Sequence, residues 1–230
     1  MPDEREARLE ASWTDNAAAW TTVVRDDRIP SRAAGTNAAV VAAVRALAPR
    51  RLLDVGCGEG WLVRAVAADG IDAVGIDISP PLIAAAQAAG GGRFLVMRYD
   101  ELHARADELG GRFDLVVCNF ALLGESLVPM LAALRAATTA TGTLLIQTVH
   151  PWMARGDAPY ADGWRTETFA GFGDTFATSM PWYYRTLGTW IGELRASGWT
   201  LATLTEPLHP ESGLPLSLLL TAHPGPTTPR

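Results

Sequence analysis

The segment Leu52-Leu53-Asp54-Val55-Gly56-Cys57-Gly58-Glu59-Gly60-Trp61 constrains this chain more than any other, because an apolar strand delivers an acidic residue into a turn with glycine at every second position. Gly56, Gly58 and Gly60 carry no Cβ, so the backbone is free to take left-handed conformations and to approach a ligand closely. A helix opening near Glu59 would aim its unpaired N–H groups at that ligand. By itself such a turn is also an ordinary tight strand-to-helix connection. What lifts it above that reading is Ala73-Val74-Gly75-Ile76-Asp77-Ile78, a second buried strand ending in a carboxylate. It follows about 20 residues later, where a ribose-binding acid belongs in a βαβ nucleotide site.

The chain has 230 residues, 48% of them hydrophobic, enough for one sizeable core. Its formal charge of −6 and the lack of any basic run argue against nucleic acid as a partner, since phosphate backbones are bound through Lys and Arg. Only two cysteines occur, Cys57 and Cys118, each in or beside a buried strand candidate. They make a disulfide framework and secretion poor expectations, and no apolar stretch approaches the roughly 20 residues of a membrane helix. His103, His150, His209 and His223 show no metal-ligand spacing with the cysteines. A cytoplasmic protein, monomeric or homodimeric, with no metal and no membrane or nucleic-acid partner is expected.

Strands and helices alternate as a doubly wound α/β sheet requires. An alanine-rich helix over 36–48 stops at Pro49. Strands are expected over 51–55, 72–77, 93–97, 113–118 and 143–149, separated by helices over 59–69, 80–89, near 101–109 and over 125–138. Residues 150–182 are rich in Trp, Phe, Gly and Asp without clear periodicity and read as an insertion. Helix 185–196 and strands 199–205 and 216–222 follow; two strands with no helix between them imply an antiparallel pair at one sheet edge. The predicted organisation is a helical segment over 1–35, one domain over 36–223 with a substrate cap at about 150–184, and a disordered tail over 224–230.

The pattern Asp54-x-Gly56-x-Gly58-x-Gly60 resembles the first motif of class I S-adenosylmethionine-dependent methyltransferases rather than the G-x-G-x-x-G of dinucleotide sites. The resemblance continues through Tyr99-Asp100, through Phe113-Asp114-Leu115-Val116-Val117-Cys118-Asn119-Phe120 and through Gly142-Thr143-Leu144-Leu145-Ile146, covering most of residues 45–223. It implies a seven-stranded Rossmann-like sheet with helices on both faces and S-adenosylmethionine as cofactor. It further implies that Gly56, Cys57 and Gly58 lie against the methionine part and that Asp77 and Ile78 meet the ribose. Tyr99 and Asp100 would border the adenine, with Asn119 and Phe120 at the end of the fourth strand. Asp54 is either an acceptor for the turn's own N–H groups or a partner of the methionine ammonium.

Trp13, Asn16, Trp20, Val23 and Val24 recur at the spacing of one helix face. Such a helix either packs on the core or forms a lid, in which case Trp20, Arg25 and Arg32 are candidates for covering the sulfonium and meeting the methionine carboxylate. On the acceptor side, His150 follows the fifth strand, where a histidine is able to take a proton from an attacking hydroxyl or amine. Tyr183 and Arg185 add a hydroxyl and a fixed positive charge, suited to an acceptor with a carboxylate or phenolate. The aromatic residues between Trp152 and Trp190 are expected to fill the cap, a few of them lining an apolar acceptor pocket. The chain resembles bacterial small-molecule O- and N-methyltransferases, including the ubiquinone-biosynthesis kind, and Asn119-Phe120-Ala121-Leu122 departs from the N-P-P-Y form of many nucleic-acid methylators. Two alternatives stand at this point: a nicotinamide-dependent oxidoreductase, and a cofactor-binding protein without catalysis.

Overall fold

The structure, a computed structural model, describes residues 4–172 and 175–226. Two helices, α1 (Glu4–Asp15) and α2 (Ala17–Arg25), precede α3 (Asn37–Leu47). The sheet then opens with β1 (Arg51–Val55), α4 (Trp61–Ala67), β2 (Asp72–Asp77), α5 (Pro80–Ala89) and β3 (Arg93–Val96). A short helix, α6 (Ala106–Leu109), leads to β4 (Phe113–Asn119), α7 (Val128–Ala137) and β5 (Thr138–Val149). One turn of helix, α8 (Pro151–Ala154), and the strands β6 (Gly163–Glu167) and β7 (Met180–Tyr184) form the cap; α9 (Leu187–Ala196), β8 (Trp199–Thr205) and β9 (Ser217–Pro224) complete the chain.

The seven main strands lie in the order β3-β2-β1-β4-β5-β9-β8, as the predicted doubly wound fold requires. β1 to β5 pair in parallel, while β9 is antiparallel to both β5 and β8. The terminal pair is thus present, with β9 inserted between β5 and the edge strand β8. Strand order reverses between β1 and β4, and the carboxyl ends beside that reversal are where an α/β sheet binds its ligand.

Both faces of the central strands are covered, so their residues are apolar almost without interruption. Leu52 belongs to the core cluster under α3, α4 and α5, whereas Leu53 and Val55 belong to the one under α7 and α9. Each such fully buried side chain contributes roughly 1.5–3 kcal/mol. α4 buries Leu62, Val63 and Val66, and α7 buries Met130, Leu131 and Leu134, the i, i+1, i+4 stripe of a helix seated on a sheet.

Several boundaries differ from expectation; α7, for one, opens at Val128 rather than at 125. Helix α4 opens at Trp61 rather than at Glu59, because Gly60 is left-handed at φ +83° and ends the turn. β5 begins at Thr138 instead of 143, with a register shift opposite Phe113 and Leu115. The last strand reaches Pro224, and Gly225 N–H donates to Gly198 O at 2.8 Å, so order continues past the tail boundary placed at 224; residues 227–230 lie outside those described. The cap also holds a two-stranded sheet, β6 with β7, that its sequence did not suggest. Among the described residues no helix is long and apolar enough to cross a membrane, and no group of three or more His, Cys, Asp or Glu is arranged to hold a metal ion.

Candidate active site

β1 and β2 end side by side, and their turns are built as one unit. Gly56 and Cys57 donate N–H groups to Ile76 O at 2.8 and 3.0 Å, and Asp77 Oδ2 accepts from Gly58 N at 2.9 Å. The other Asp77 oxygen accepts from Ser79 N at 2.8 Å, fixing the start of α5. Gly56, Gly58 and Gly60 are all left-handed, with φ of +74°, +55° and +83°. A Cβ on Gly56 would come within 2.5 Å of Ala121 Cβ, whereas one on Gly58 would meet nothing within 4 Å. The turn is therefore close-packed at Gly56 and open at Gly58, on the side of a cavity of about 250 Å³ that both residues line.

This cavity collects most of the predicted cofactor residues: Trp20, Arg32, Asp54, Gly56, Cys57, Gly58, Asp77, Ile78, Tyr99, Asn119 and Phe120 all border it. Asp100 borders a second cavity of about 270 Å³ instead, which shares Trp13, Ile78, Tyr99, Ala121 and Leu123 with the first. Asp100 Oδ1 accepts from Arg98 Nε at 3.3 Å, and Arg98 is tied to Glu10 of α1 at 2.7 Å. Tyr99 Oη donates to Ala121 O at 3.3 Å, joining the third strand's end to the fourth's.

Burial governs the electrostatics. Asp54 is held at a pKa of about 7 by burial first, then by repulsion from Asp77, with Arg32 opposing both. Burial likewise lowers Arg32 to about 10, against the attraction of Glu59, Asp54 and Asp27. Asp77 is raised by burial, opposed by the backbone N–H groups of Ser79, Gly58 and Ile78. Burial also pushes the Cys57 thiol well above its ordinary value. Ten buried side-chain polar atoms lack a partner among the described residues, and four of them belong to residues bordering the first cavity: Trp20 Nε1, Arg32 Nη1, Asp54 Oδ1 and Asn119 Oδ1. An unpaired buried polar group costs about 1–3 kcal/mol, so unmet hydrogen-bonding capacity is concentrated in residues beside this cavity.

A roof of two parts covers the cavity. Trp20 of α2 sits within 5.0–5.9 Å of the rings of Phe169, Phe172 and Phe176 from the cap and 5.4 Å from Trp13. Asn16 joins the parts: its Oδ1 accepts from Ala177 N and Thr178 N, and its Nδ2 donates to Thr178 O at 2.8 Å. Arg25 does not border the cavity. Its Nε pairs with buried Glu59 at 2.9 Å and its Nη2 donates to Ala85 O, which fastens α2 to the glycine turn and to α5.

The three residues expected on the acceptor side stand apart from the cavity lining. His150 Nε2 lies 2.7 Å from Glu206 Oε1, in the β8–β9 connection. Tyr183 sets its ring edge-on to Trp164, and its N–H donates to Leu123 O. Arg185 is buried, donates to the carbonyls of Gly124, Glu125 and Tyr183, and pairs with Glu193 at 3.2 Å, so its charge is spent on the β4–α7 loop. The cap contributes Glu167, Phe169, Phe172, Met180 and Trp182 to the cavity instead. The aromatic members belong to the run expected to supply such a pocket; Glu167 had no signal in the sequence.

A methyltransferase-domain family profile matches residues 31–204. Over 74 residues the chain is 42% identical to the ubiquinone biosynthesis O-methyltransferase of Methylococcus capsulatus, a match that spans 31% of each chain. Among solved structures, 1,6-didemethyltoxoflavin-N1-methyltransferase from Burkholderia thailandensis, with bound 1,6-didemethyltoxoflavin and S-adenosylhomocysteine, aligns over 98% of this chain and 91% of its own at 20% identity and a TM-score of 0.68. An S-adenosylmethionine-dependent methyltransferase from Mesorhizobium loti aligns over 79% of this chain and 95% of its own, at 24% identity and a TM-score of 0.59.

Proposed function

We propose, from the premise that this chain belongs to the S-adenosylmethionine-dependent methyltransferase family, that it moves a methyl group from that cofactor to a nitrogen or oxygen atom of a small molecule. The observation that carries this reading is the character of the four unpartnered atoms. Trp20 Nε1 and Arg32 Nη1 are donors, whereas Asp54 Oδ1 and Asn119 Oδ1 are acceptors. Carried by residues that border the cavity, they match in kind the needs of an amino-acid zwitterion, donors for its carboxylate and acceptors for its ammonium, met by small side-chain rotations on binding.

The remaining residues suit the rest of the cofactor. Each Asp77 oxygen is engaged by one backbone N–H, and a carboxylate oxygen has a second lone-pair site with which to accept from a ribose hydroxyl. Gly58 leaves the close approach open, Cys57 and Phe120 shape the wall, and Ile78, Tyr99 and Asp100 border the adjoining space suited to the adenine. S-adenosylmethionine supplies a methyl carbon already activated by its sulfonium. The chain's task is then to bind two reactants in line and keep water away, a matter of positioning. The roof of Trp20, Phe169 and Phe172 suits that task, and the small cavity favours a compact acceptor. The relatives named for ubiquinone biosynthesis and for 1,6-didemethyltoxoflavin support a small-molecule acceptor.

Calorimetric titration tests the reading directly. S-adenosylhomocysteine is expected to bind with a micromolar or tighter Kd, and NAD not to bind. Folded protein that releases no heat with S-adenosylhomocysteine, or that prefers NAD, would sink it.

A further inference from the structure

We infer that Glu167 makes the capped end of the first cavity an amine site, so that the acceptor is a compact arylalkyl amine methylated on nitrogen. This rests on the methyl-transfer reading and adds the acceptor's chemistry to it. The charged residues bordering the cavity are one cation, Arg32, and four acids, Asp54, Glu59, Asp77 and Glu167. Three of the acids have other duties. Glu59 is neutralised by Arg25 and Arg64, Asp77 holds two backbone N–H groups, and Asp54 is assigned to the cofactor's ammonium. Glu167 forms no ion pair among the described residues, and it is the one charged group that the cap brings to the cavity.

Its geometry is fixed by the backbone beside it. Glu167 Oε1 accepts from Phe169 N at 2.7 Å, and Phe169, though not glycine, is left-handed at φ +60°. Such a conformation costs about 1–3 kcal/mol and persists where its surroundings hold it. The bond engages one carboxylate oxygen and leaves Oε2 for a ligand. Phe169, Phe172 and Trp182 border the same space, and aromatic faces attract a cation. A carboxylate or phenolate acceptor would meet an excess of acids there, with its only cation set beside Asp54 and Glu59. Glu167 therefore receives the amine as a hydrogen-bond donor. In the transfer the bound ammonium first passes a proton to Glu167 Oε2, which frees the nitrogen lone pair; that pair forms the N–C bond as the C–S bond breaks with its pair remaining on sulfur, and the N-methylammonium product carries the positive charge away.

The test uses the full chain saturated with S-adenosylhomocysteine and titrated with phenethylamine and tryptamine, against 2-phenylethanol and 3-phenylpropionate as matched alcohol and acid. At least one amine is expected to bind about tenfold or more tighter than both controls, and Glu167→Gln to remove that advantage. Glutamine keeps an acceptor for Phe169 N but replaces the other oxygen, and its charge, with an NH₂ group that cannot accept from the amine, and Glu167→Asp is expected to restore part of the preference. Binding of S-adenosylhomocysteine, measured separately on each variant, should stay within about threefold of wild type; its loss in the wild type would count against the methyl-transfer reading instead. Preference for the alcohol or acid, no binding by either amine, or wild-type amine affinity in Glu167→Gln would overturn the inference.

Discussion

Asp77 Oδ2 accepts the N–H of Gly58 at 2.9 Å, so the carboxylate that ends β2 also holds the turn that ends β1. One side chain thus builds the turn and faces the proposed ligand. Asp77→Ala removes both functions and is expected to lower the melting temperature as well as cofactor affinity. Asp77→Asn keeps an acceptor oxygen but exchanges the other for an NH₂ group, which cannot accept. We expect that variant to remain folded by circular dichroism and to bind S-adenosylhomocysteine more than tenfold more weakly, the loss of one or two charge-assisted bonds. An unchanged dissociation constant would refute the ribose assignment.

The glycines of the turn should separate fold from binding. Gly56→Ala places a Cβ 2.5 Å from Ala121 Cβ on a left-handed backbone, and we expect it to destabilise the protein by about 2 kcal/mol or more in denaturant unfolding. Gly58→Ala meets no atom within 4 Å and carries only the left-handed cost of roughly 1–2 kcal/mol. Gly58 borders the cavity, so calorimetry should find a larger loss of S-adenosylhomocysteine affinity per unit of stability lost than in Gly56→Ala.

Asp54 gives the site a pH dependence whose sign follows from its shift. Its ordinary pKa is 3.8, whereas burial holds it at about 7 in the folded chain, so the native state binds this proton more tightly than the unfolded state does. The stability from this group is fully present below the unfolded value and is lost as pH rises toward 7. Asp54→Asn should gain stability relative to wild type as pH rises from about 4 to 7 and hold that gain above. Ligand binding runs the other way. An ammonium prefers the ionised carboxylate, so S-adenosylhomocysteine affinity should rise by up to about tenfold per pH unit below 7 and level off above. Calorimetry in buffers of different ionisation enthalpy should register proton release on binding near pH 6, and none in Asp54→Asn. A flat affinity profile from pH 5.5 to 8 would detach Asp54 from the ammonium.

The central sheet was legible because its information is local. Leu52, Leu53 and Val55 form a continuous apolar strand, the glycines mark the turn, and Asp77 closes the second strand at the expected interval. The cap was not. Gly163–Glu167 has no buried face, and Met180–Tyr184 buries Met180, Pro181 and Tyr184 rather than every second residue, so neither alternates with period two, and Pro181 interrupts the second run. Arg25 and Arg32 look alike in sequence, yet Glu59 captures one and the other reaches the cavity, a distinction set by packing of α2 on the turn. His150 was placed correctly beyond β5, but its ring is directed by Glu206, 56 residues away, which no local pattern announces.

His150 accordingly carries a different expectation from the one its position suggested. With Nε2 bonded to Glu206 and the ring apart from the cavity lining, His150→Ala should lower the melting temperature while S-adenosylhomocysteine affinity stays within about threefold of wild type. Once an acceptor is in hand, turnover at saturating cofactor should also stay within that range. A loss of roughly 10²-fold in turnover with affinity intact would return the histidine to the role of base.

The roof offers the last test, through the joint between its two parts. Asn16 makes three hydrogen bonds to the backbone at Ala177 and Thr178 with one buried side chain, and no other residue type of that size both donates and accepts there. Asn16→Ala leaves the core clusters of the sheet untouched but removes the polar joint between the N-terminal helices and the cap, so the apolar contacts of Leu9, Trp13 and Trp20 with Phe169 and Met180 must hold the roof over the cavity without it. We expect a modest loss of global stability, about 1–3 kcal/mol for the unpaired groups left behind. The ligand-dependent rise in melting temperature with S-adenosylhomocysteine should shrink by a larger proportion. Hydrogen exchange should localise the change, with protection lost in α1, α2 and β7 and retained in β1, β4 and β5. Deleting residues 1–30 should exaggerate the same pattern, since Trp20 and Arg25 leave together. If either variant instead unfolds the sheet strands along with the roof, the N-terminal helices are part of the core, and the division between a stable sheet and a separable cover fails.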